Sequence, residues 1–449
     1  MSKLVTSKSI PASWNFVPLK DLGDWSGGGT PSKAKLQYWQ EGTIPWVSPK
    51  DMKAERIADS EDHITKEAVS HSTASMINAG SVLIVTRSGI LRHTLPVAVN
   101  SVPVTVNQDL KALTPRNGII AEYVAWALRA FSRDILHTCS KQGTTVNSVE
   151  TSKLLGFEIP VAPRSQQAKI VAEIEKQFSR LDEAVANLKR VKANLKRYKA
   201  SVLKAAVEGK LAPIAGPWKQ VALGDVTTSI RNGYSKKPNA EQGTRIFRIS
   251  AVRPMKLDGN DVRYLSGTPA DYEPFLIEPG DVLFTRYNGN RDYVGVCARV
   301  PVNLPPTVYP DKLIRVRVPR LMMLPEFLVI LASTGHAREY IESKIRTTAG
   351  QSGISGGDLK ALPLDIPRVE EQLQIVAEVE RRLSVIDELE ATVAANLTRA
   401  DRLRQSVLSQ AFSGRLLGQD TKHVPDGLPR FSIAAESQAR YGRDERARR

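Results

Sequence analysis

The chain repeats itself, and the repeat governs what it can fold into. Ile170-Val171-Ala172-Glu173-Ile174-Glu175 returns as Ile375-Val376-Ala377-Glu378-Val379-Glu380, a displacement of 205 positions (170 to 375). The same displacement carries Leu181-Asp182 onto Ile386-Asp387 and Ser201-Val202-Leu203 onto Ser406-Val407-Leu408. It also carries Gly209-Lys210-Leu211 onto Gly414-Arg415-Leu416. One displacement held over about 45 residues marks a duplicated unit. Fainter echoes precede each copy. Trp14 with Val17-Pro18-Leu19-Lys20-Asp21 matches Trp218 with Val221-Ala222-Leu223-Gly224-Asp225. Gly80-Ser81-Val82-Leu83 matches Gly280-Asp281-Val282-Leu283, and both lead to a Thr-Arg pair, Thr86-Arg87 and Thr285-Arg286. Here the displacement drifts between 199 (86 to 285) and 204 (14 to 218), as loop insertions would make it. The order is variable, constant, variable, constant.

The constant segments read as long helices. Ser165 to Glu208 contains no Pro or Gly. Ile174, Leu181, Leu188, Leu195 and Val202 recur at every seventh position, and their duplicates are Val379, Ile386, Val393, Ala400 and Val407. Sustained heptads predict a coiled coil. Pro163 ahead of the first helix, Gly209 and Pro213 behind it, and Pro367 and Gly414 around the second are start and stop signals. About 44 residues at ~1.5 Å each make a rod of ~66 Å. An apolar seam must be covered, and the evident partner of each helix is its own duplicate. An antiparallel pair would have a pseudo-twofold axis. The competing reading packs each helix only on its own globular domain.

The variable segments read as mixed but strand-rich. Ser81 to Thr86 and Asp281 to Thr285 are short apolar runs bounded by Gly, and Leu313 to Val318 alternates like a half-buried strand. Ala121 to His137 and Pro325 to Arg346 read as helices. The expected fold is therefore α+β: two globular, strand-rich domains separated by two long helices that form an antiparallel coiled coil. The domains fall at 1–160 and 213–366, the helical spacers at 161–212 and 367–417, and a basic, loose tail at 418–449. The tail carries Arg440, Arg443, Arg446, Arg448 and Arg449.

Charge narrows the partner. Lys and Arg number 63 against 47 Asp and Glu, for a net charge of +16 and a pI near 9.7. That excess favours a polyanion, nucleic acid before a membrane surface. Two cysteines, Cys139 and Cys297, cannot build a disulfide framework and suit a reducing cytosol. No apolar run approaches the ~20 residues of a membrane span, and Met1 to Trp14 lacks an apolar signal core, so a cytoplasmic protein is expected.

Catalytic signatures are missing. There is no phosphate-binding Gly-x-x-x-x-Gly-Lys-Ser/Thr loop. Asn303-Leu304-Pro305-Pro306-Thr307 lacks the aromatic that an amino-methyltransferase motif needs to hold a flipped base. The six histidines are scattered and neither cysteine sits in a Cys-x-x-Cys, so neither a metal site nor a cofactor is expected in this chain. Pro310-Asp311 with Glu342-Ser343-Lys344 formally fits a Mg²⁺ nuclease pattern using Asp311, Glu342 and Lys344. However, Glu342 and Lys344 fall two apart on an expected helix and do not share a face.

Polar and basic clusters do recur in the turns of both variable segments. In the first they are Arg87, Ser88 and Arg92, then Gln142, Thr144, Thr145 and Asn147. In the second they are Arg231, Asn232, Tyr234 and Lys236, then Arg286, Tyr287, Asn288, Asn290 and Arg291. Lys312, and Thr348 with Gln351, complete the second set. Arg pairs with guanine, and Asn or Gln with adenine, in the major groove, while Lys and Thr hold phosphates. Solvated loops would look similar one residue at a time; recurrence at equivalent places lifts the group.

At this point the chain resembles a known family. Ser26-Gly27-Gly28-Gly29-Thr30-Pro31-Ser32, Tyr38-Trp39 and Ile44-Pro45-Trp46-Val47-Ser48-Pro49-Lys50-Asp51-Met52 resemble the opening of target-recognition domains in specificity (S) subunits of type I restriction-modification enzymes. Ile159-Pro160 with Gln166-Gln167, and Ile366-Pro367 with Glu371-Gln372, resemble that family's entry into its helices. Arg286-Tyr287-Asn288-Gly289, Tyr309-Pro310-Asp311-Lys312 and Gly350-Gln351-Ser352-Gly353 resemble the second recognition domain of enterobacterial members. The match spans roughly residues 10 to 417. The resemblance implies a non-catalytic subunit in which each domain reads half of a bipartite, gapped double-stranded DNA site and the helices set the gap. It implies two modification (M) subunits docked on the helices, with Ile174, Leu181, Leu188, Leu195, Val202, Val379, Ile386, Val393 and Val407 serving helix pairing or that docking. Restriction (R) subunits would join them. S-adenosylmethionine, ATP and Mg²⁺ would sit in those partners, for adenine-N6 methylation or ATP-dependent cleavage. The alternatives left open are a stand-alone Mg²⁺ nuclease and a coiled-coil adaptor that binds only protein.

Overall fold

A computed structural model describes residues 10–141, 147–213, 216–348 and 350–418. It resolves into two units, residues 1–185 with 398–449, and residues 186–397. The arginines of the tail lie outside the described residues. Among the described residues no helix is long and apolar enough to cross a membrane.

The first unit is built on a five-stranded sheet in the order Gly23–Gly27, Leu110–Pro115, Val82–Val85, Val97–Asn100, Arg56–Ile57. All four residues of Val82–Val85 are buried, which is what a central strand covered on both faces requires. A smaller sheet sets Ile44–Val47 between His63–Ile64 and Thr105–Val106. Helix Ala121–Ala130 covers the larger sheet, Ser132–Cys139 packs beside it, and Asn15–Pro18 pairs with Glu158–Val161 to bring the chain to its long helix.

The second unit repeats this plan. Its four-stranded sheet runs Ser229–Asn232, Leu313–Arg317, Val282–Thr285, Cys297–Arg299. A three-stranded sheet centres on Thr244–Phe247, and Lys219–Ala222 pairs with Pro363–Ile366. Two sequence expectations are corrected here. Leu313–Arg317 is not half-buried: as an interior strand it buries both faces, Arg315 included. Arg315 survives there because its guanidinium donates to the Leu276 carbonyl (2.7 Å) and lies over the Tyr309 ring. The expected single helices are each two. Phe131 separates the first pair, and Thr334 separates Pro325–Ser333 from Gly335–Lys344.

The heptads do form two long helices, Arg164–Val207 (the central helix) and Val369–Phe412 (the distal helix), of 44 residues each. Both end in the same cap. Lys210 N–H reaches back to the Ala205 carbonyl and Gly209 N–H to that of Ala206; Arg415 and Gly414 repeat this on Gln410 and Ala411. Gly209 and Gly414 have φ of 68° and 76°, the left-handed turn such a cap needs.

The helices pack antiparallel in each unit. In the first, Ile170, Ile174 and Phe178 share a core with Val407, Leu408, Ala411 and Phe412, and Leu181 packs against it. In the second, Val202 and Ala206 meet Ile375 and Val379, while Leu195 joins Ile386 and Val393 with Leu188 at the margin. The pairing on duplicated helices produces duplicated ion pairs. Asp182 binds Arg404 in the first unit; their repeat equivalents Asp387 and Lys199 pair at 3.6 Å in the second. Burial works to raise the Asp387 carboxyl, but the hydrogen bond from Lys256 (2.7 Å) and the charge of Lys199 outweigh it and hold it below the usual carboxylate value.

Each globular region is fastened to the start of its helix by one buried glutamine. Gln167 donates to the carbonyls of Gly118 (3.1 Å) and Ala162 (2.8 Å) and accepts from Ile120 N–H (2.9 Å). Its duplicate Gln372 donates to Met322 and Pro367 (both 3.1 Å) and accepts from Leu324 N–H (2.9 Å). Ile120 and Leu324 are the N-caps of Ala121–Ala130 and Pro325–Ser333, so each amide ties three chain segments together. Gln372→Met keeps the shape and strands one donor and two acceptors, at ~1–3 kcal/mol per buried group. Thermal denaturation is expected to show the second unit melting several degrees lower; an unchanged transition would mean the clamp carries no stability.

Candidate nucleic-acid interface

The recurring clusters lie where equivalent strands leave their sheets. In the second unit, Val282–Thr285 runs straight into Tyr287–Asn288, which pairs with Gln351–Gly353; the latter also pairs with Arg346–Thr348. That three-stranded patch gathers Arg286, Tyr287, Asn288 and Gln351. Lys312 joins them from the neighbouring turn, where its backbone carbonyl accepts from Arg286 N–H (2.7 Å). The Lys312 ammonium donates to Gln351 Oε1 (3.1 Å) and sits 5.6 Å from the centroid of the Tyr287 ring. The Arg286 guanidinium lies over the same ring at 4.7 Å, and its buried Nε has no hydrogen-bond partner among the described residues. Two cations thus lie against one aromatic ring, and the Arg286 guanidinium also donates to the Asp311 carbonyl (3.4 Å).

Arg231 and Asn232 end the adjacent strand, paired with Arg315 and Ile314. Tyr234 is tied to the same turn as Lys312, since Asp311 N–H donates to its carbonyl (2.8 Å). Its ring, however, packs edge-on against Tyr272 and Phe275, and Arg231 covers Phe275. Lys236 is exposed. Several polar residues are occupied locally. Asn290 Oδ1 accepts from Asp292 N–H, Asn288 Oδ1 accepts from Asn290 N–H, and Arg291 donates to the Glu342 carbonyl. Thr348 is described by its backbone alone, opposite Gln351.

In the first unit, Arg87 forms a β-bridge with Ser148, and Ser88 N–H donates to the Asn147 carbonyl (3.1 Å), so Arg87, Ser88 and Asn147 come together. Arg87 Nε meets Asp109 Oδ1 at 2.5 Å. Ser88 Oγ accepts from Ile90 N–H at the start of a short turn that ends in the exposed Arg92. Gln142, Thr144 and Thr145 lie outside the described residues.

The register corrects one equivalence drawn from sequence. Val85 and Thr285 occupy the same place, opposite Leu110 and Leu313. Val149 N–H then donates to the Thr86 carbonyl as Ile354 N–H does to that of Arg286. Thr86 therefore matches Arg286, and Arg87 matches Tyr287; the two Thr-Arg pairs are one residue out of step. A one-residue slip on a strand turns a side chain to the opposite face, so matching letters concealed a change of chemistry.

Sequence reasoning missed three features. Lys141 and Arg346 hold equivalent places in the two hairpins, opposite Ser148 and Gly353, and both are exposed. Asp109 was passed over for its sign. The Gly28 and Gly233 backbones press on the next strand so closely that a Cβ would strike the carbonyls of Val106 and Tyr309. That shared constraint links Ser26-Gly27-Gly28-Gly29-Thr30 to Arg231-Asn232-Gly233-Tyr234, a link their letters hide.

Two residues of the nuclease pattern are engaged elsewhere. Glu342 is paired with Arg338 (2.8 Å), and Lys344 lies over the Tyr340 ring. Among the described residues no three metal-type side chains cluster.

Comparison with known proteins agrees with this geometry. A family model for the type I restriction modification DNA specificity domain matches residues 11–197. The chain is 29% identical to the EcoKI specificity subunit of Escherichia coli K12 over 446 residues, covering 96% of this chain and 95% of that protein. It is 42% identical to the EcoR124I/EcoR124II specificity subunit of Escherichia coli over 183 residues, 41% of this chain and 45% of that one. In fold it is similar to a chain solved in a study of assembly and conformational transition of the type I R-M system, with a TM-score of 0.71 at 19% identity over 91% of this chain and 99% of that one. It is also similar to the HsdS subunit of Thermoanaerobacter tengcongensis, with a TM-score of 0.57 at 20% identity over 91% and 98%.

Gly353 packs flat under Tyr287, and a Cβ there would enter the ring. Gly353→Ala is expected to swing Tyr287 off the hairpin at a cost of ~1–3 kcal/mol. A crystal structure of the variant with the ring unmoved would contradict this packing.

Proposed function

We propose that the chain is a member of the type I restriction-modification DNA-specificity family, whose domain model matches residues 11–197, and that each of its units reads one half of a bipartite, gapped duplex site. The observation that carries the reading is the pairing of sameness and difference. Two units share sheet order, register, glutamine clamp and helix cap, yet carry different polar sets at the end of the same strand. A scaffold repeated to hold partners and spacing, with tips that differ, suits a reader of two different short sequences.

Each tip has the chemistry for this. Arg, Asn and Gln side chains supply the donor and acceptor patterns that tell base pairs apart in the major groove. The exposed Lys141, Lys236 and Arg346 are assigned in this reading to phosphates, which set register without reading bases. The overall charge of +16 adds sequence-independent affinity that weakens with salt. The chain itself serves as specificity subunit and scaffold. The methyl transfer to adenine N6, with S-adenosylmethionine, falls to two modification subunits on the long helices. ATP- and Mg²⁺-dependent cleavage falls to restriction subunits. The site of action is the cytoplasm, on double-stranded DNA.

The test is genome-wide mapping of N6-methyladenine in cells expressing this chain with its modification subunit. A split motif that appears only with the chain supports the proposal, and its absence despite a stable complex refutes it. Within that assay, Arg286→Ala is expected to relax one half-site and leave the other intact; equal loss in both would contradict the assignment of one unit to each half. Removing Val185–Val191 together with its repeat equivalent Glu390–Asn396 shortens both helices by ~10 Å. The recognised gap should then change by about 3 base pairs at ~3.4 Å each. An unchanged gap would show that the helices do not set the spacing.

A further inference from the structure

The corrected register exposes two positions that differ between the units in a matched way. Arg87 and Tyr287 are equivalent, as their bridges to Ser148 and Gly353 show. Asp109 and Lys312 are equivalent too, because their carbonyls accept from the equivalent N–H groups of Thr86 and Arg286, both at 2.7 Å. In the first unit the two positions hold a guanidinium and a carboxylate at 2.5 Å. In the second they hold an aromatic ring and an ammonium. In each unit the two positions touch one another, and both lie at the tip.

The first pair is built to aim. Asp109 is itself fixed: its N–H donates to Asn107 Oδ1 (3.0 Å) and its Oδ2 accepts from Asn107 Nδ2 (3.2 Å). Its Oδ1 engages Arg87 through Nε alone. Among the described residues the two terminal nitrogens of Arg87 have no hydrogen-bond partner. They form the parallel donor fork that matches O6 and N7 of guanine. Stability alone is a poor reason for the pair, since the Arg87 side chain is 56% exposed and such pairs contribute little. A carboxylate on a DNA-facing tip also repels phosphate. What it supplies is a guanidinium held in one orientation before DNA arrives, which lowers the ordering cost of the contact.

Resting on the function proposed above, we infer that Arg87 reads a guanine in the half-site of the first unit and that Asp109 is the positioning residue for that contact. The second unit has no arginine at this place and does not read a guanine this way.

The experiment maps methylation and measures binding of the chain–modification-subunit complex to duplexes substituted one base pair at a time, for wild type, Asp109→Asn, Arg87→Ala and the double variant. Asp109→Asn is nearly isosteric. It should cut discrimination at one G·C pair about tenfold, ~1.4 kcal/mol. That pair should lie in the half-site that Arg286→Ala leaves alone. Affinity for unrelated duplexes should hold or rise, because a negative charge has left the surface. Arg87→Ala should lose discrimination at the same pair, and the double variant should be no worse than Arg87→Ala. Three results would overturn the inference while leaving the bipartite reading intact. These are uniform weakening on every sequence, a lowered melting temperature with unchanged base preference, and a first half-site whose readout ignores every G·C pair. A wild-type chain that directs no split motif would overturn both.

Discussion

The side-chain amides of Gln167 and Gln372 are the junctions on which the architecture rests. Each is essentially fully buried, and each satisfies one N–H and two carbonyls that would otherwise be stranded where a strand, a loop and two helices converge. Buried unsatisfied groups cost more than the bonds return, so the geometry admits little play. The consequence is mechanical. Whatever a globular region does at its tip is referred to a fixed point at the head of a 44-residue helix. A hinge at this place would let the tip wander and would make helix length irrelevant to spacing.

The helix pairing adds a second constraint. An antiparallel pair of duplicates can repeat its seam contacts, and the ion pairs Asp182 with Arg404 and Asp387 with Lys199 do so. The seam residues follow the same rule, with Ile174 near Val407 in one unit and Val202 near Val379 in the other. A substitution in one copy is therefore felt against an unchanged partner from the other copy. Drift in the helices is penalised along the whole seam, whereas a tip residue such as Arg87 answers to few neighbours.

That difference explains what could be read from sequence and what could not. The helices, their caps and their seam were legible because heptads, Pro163, Pro367, Gly209 and Gly414 act locally. The strand-rich class was legible from short apolar runs such as Val82–Val85. The depth of Leu313–Arg317 was not, because its alternation mimics a half-buried strand; only its interior place in the sheet, with Tyr309 and the Leu276 carbonyl to receive Arg315, shows otherwise. The breaks at Phe131 and Thr334 were hidden inside apolar helical patterns. At the tips the residue types were legible and their partners were not. Asn290 and Ser88, both named as DNA-contact candidates, are turn caps, and the ring of Tyr234 is packed in an aromatic cluster.

The slip of Thr86-Arg87 against Thr285-Arg286 shows how such a protein can change what it reads without changing how it folds. Backbone hydrogen bonds hold the two tips in the same frame, and Gly28 and Gly233 are held glycine by the carbonyls they press on. Between these fixed points, positions 29 and 234, 87 and 287, and 109 and 312 carry unlike side chains on a like backbone. A frame set by main-chain bonds does not depend on which side chains project from it. Exchange at those positions alters the donors and acceptors offered, and Arg87-Asp109 against Tyr287-Lys312 is a case in which two touching positions differ together. Pairwise exchange is what a reader requires, because a base-contacting group is useful only while something holds it in aim.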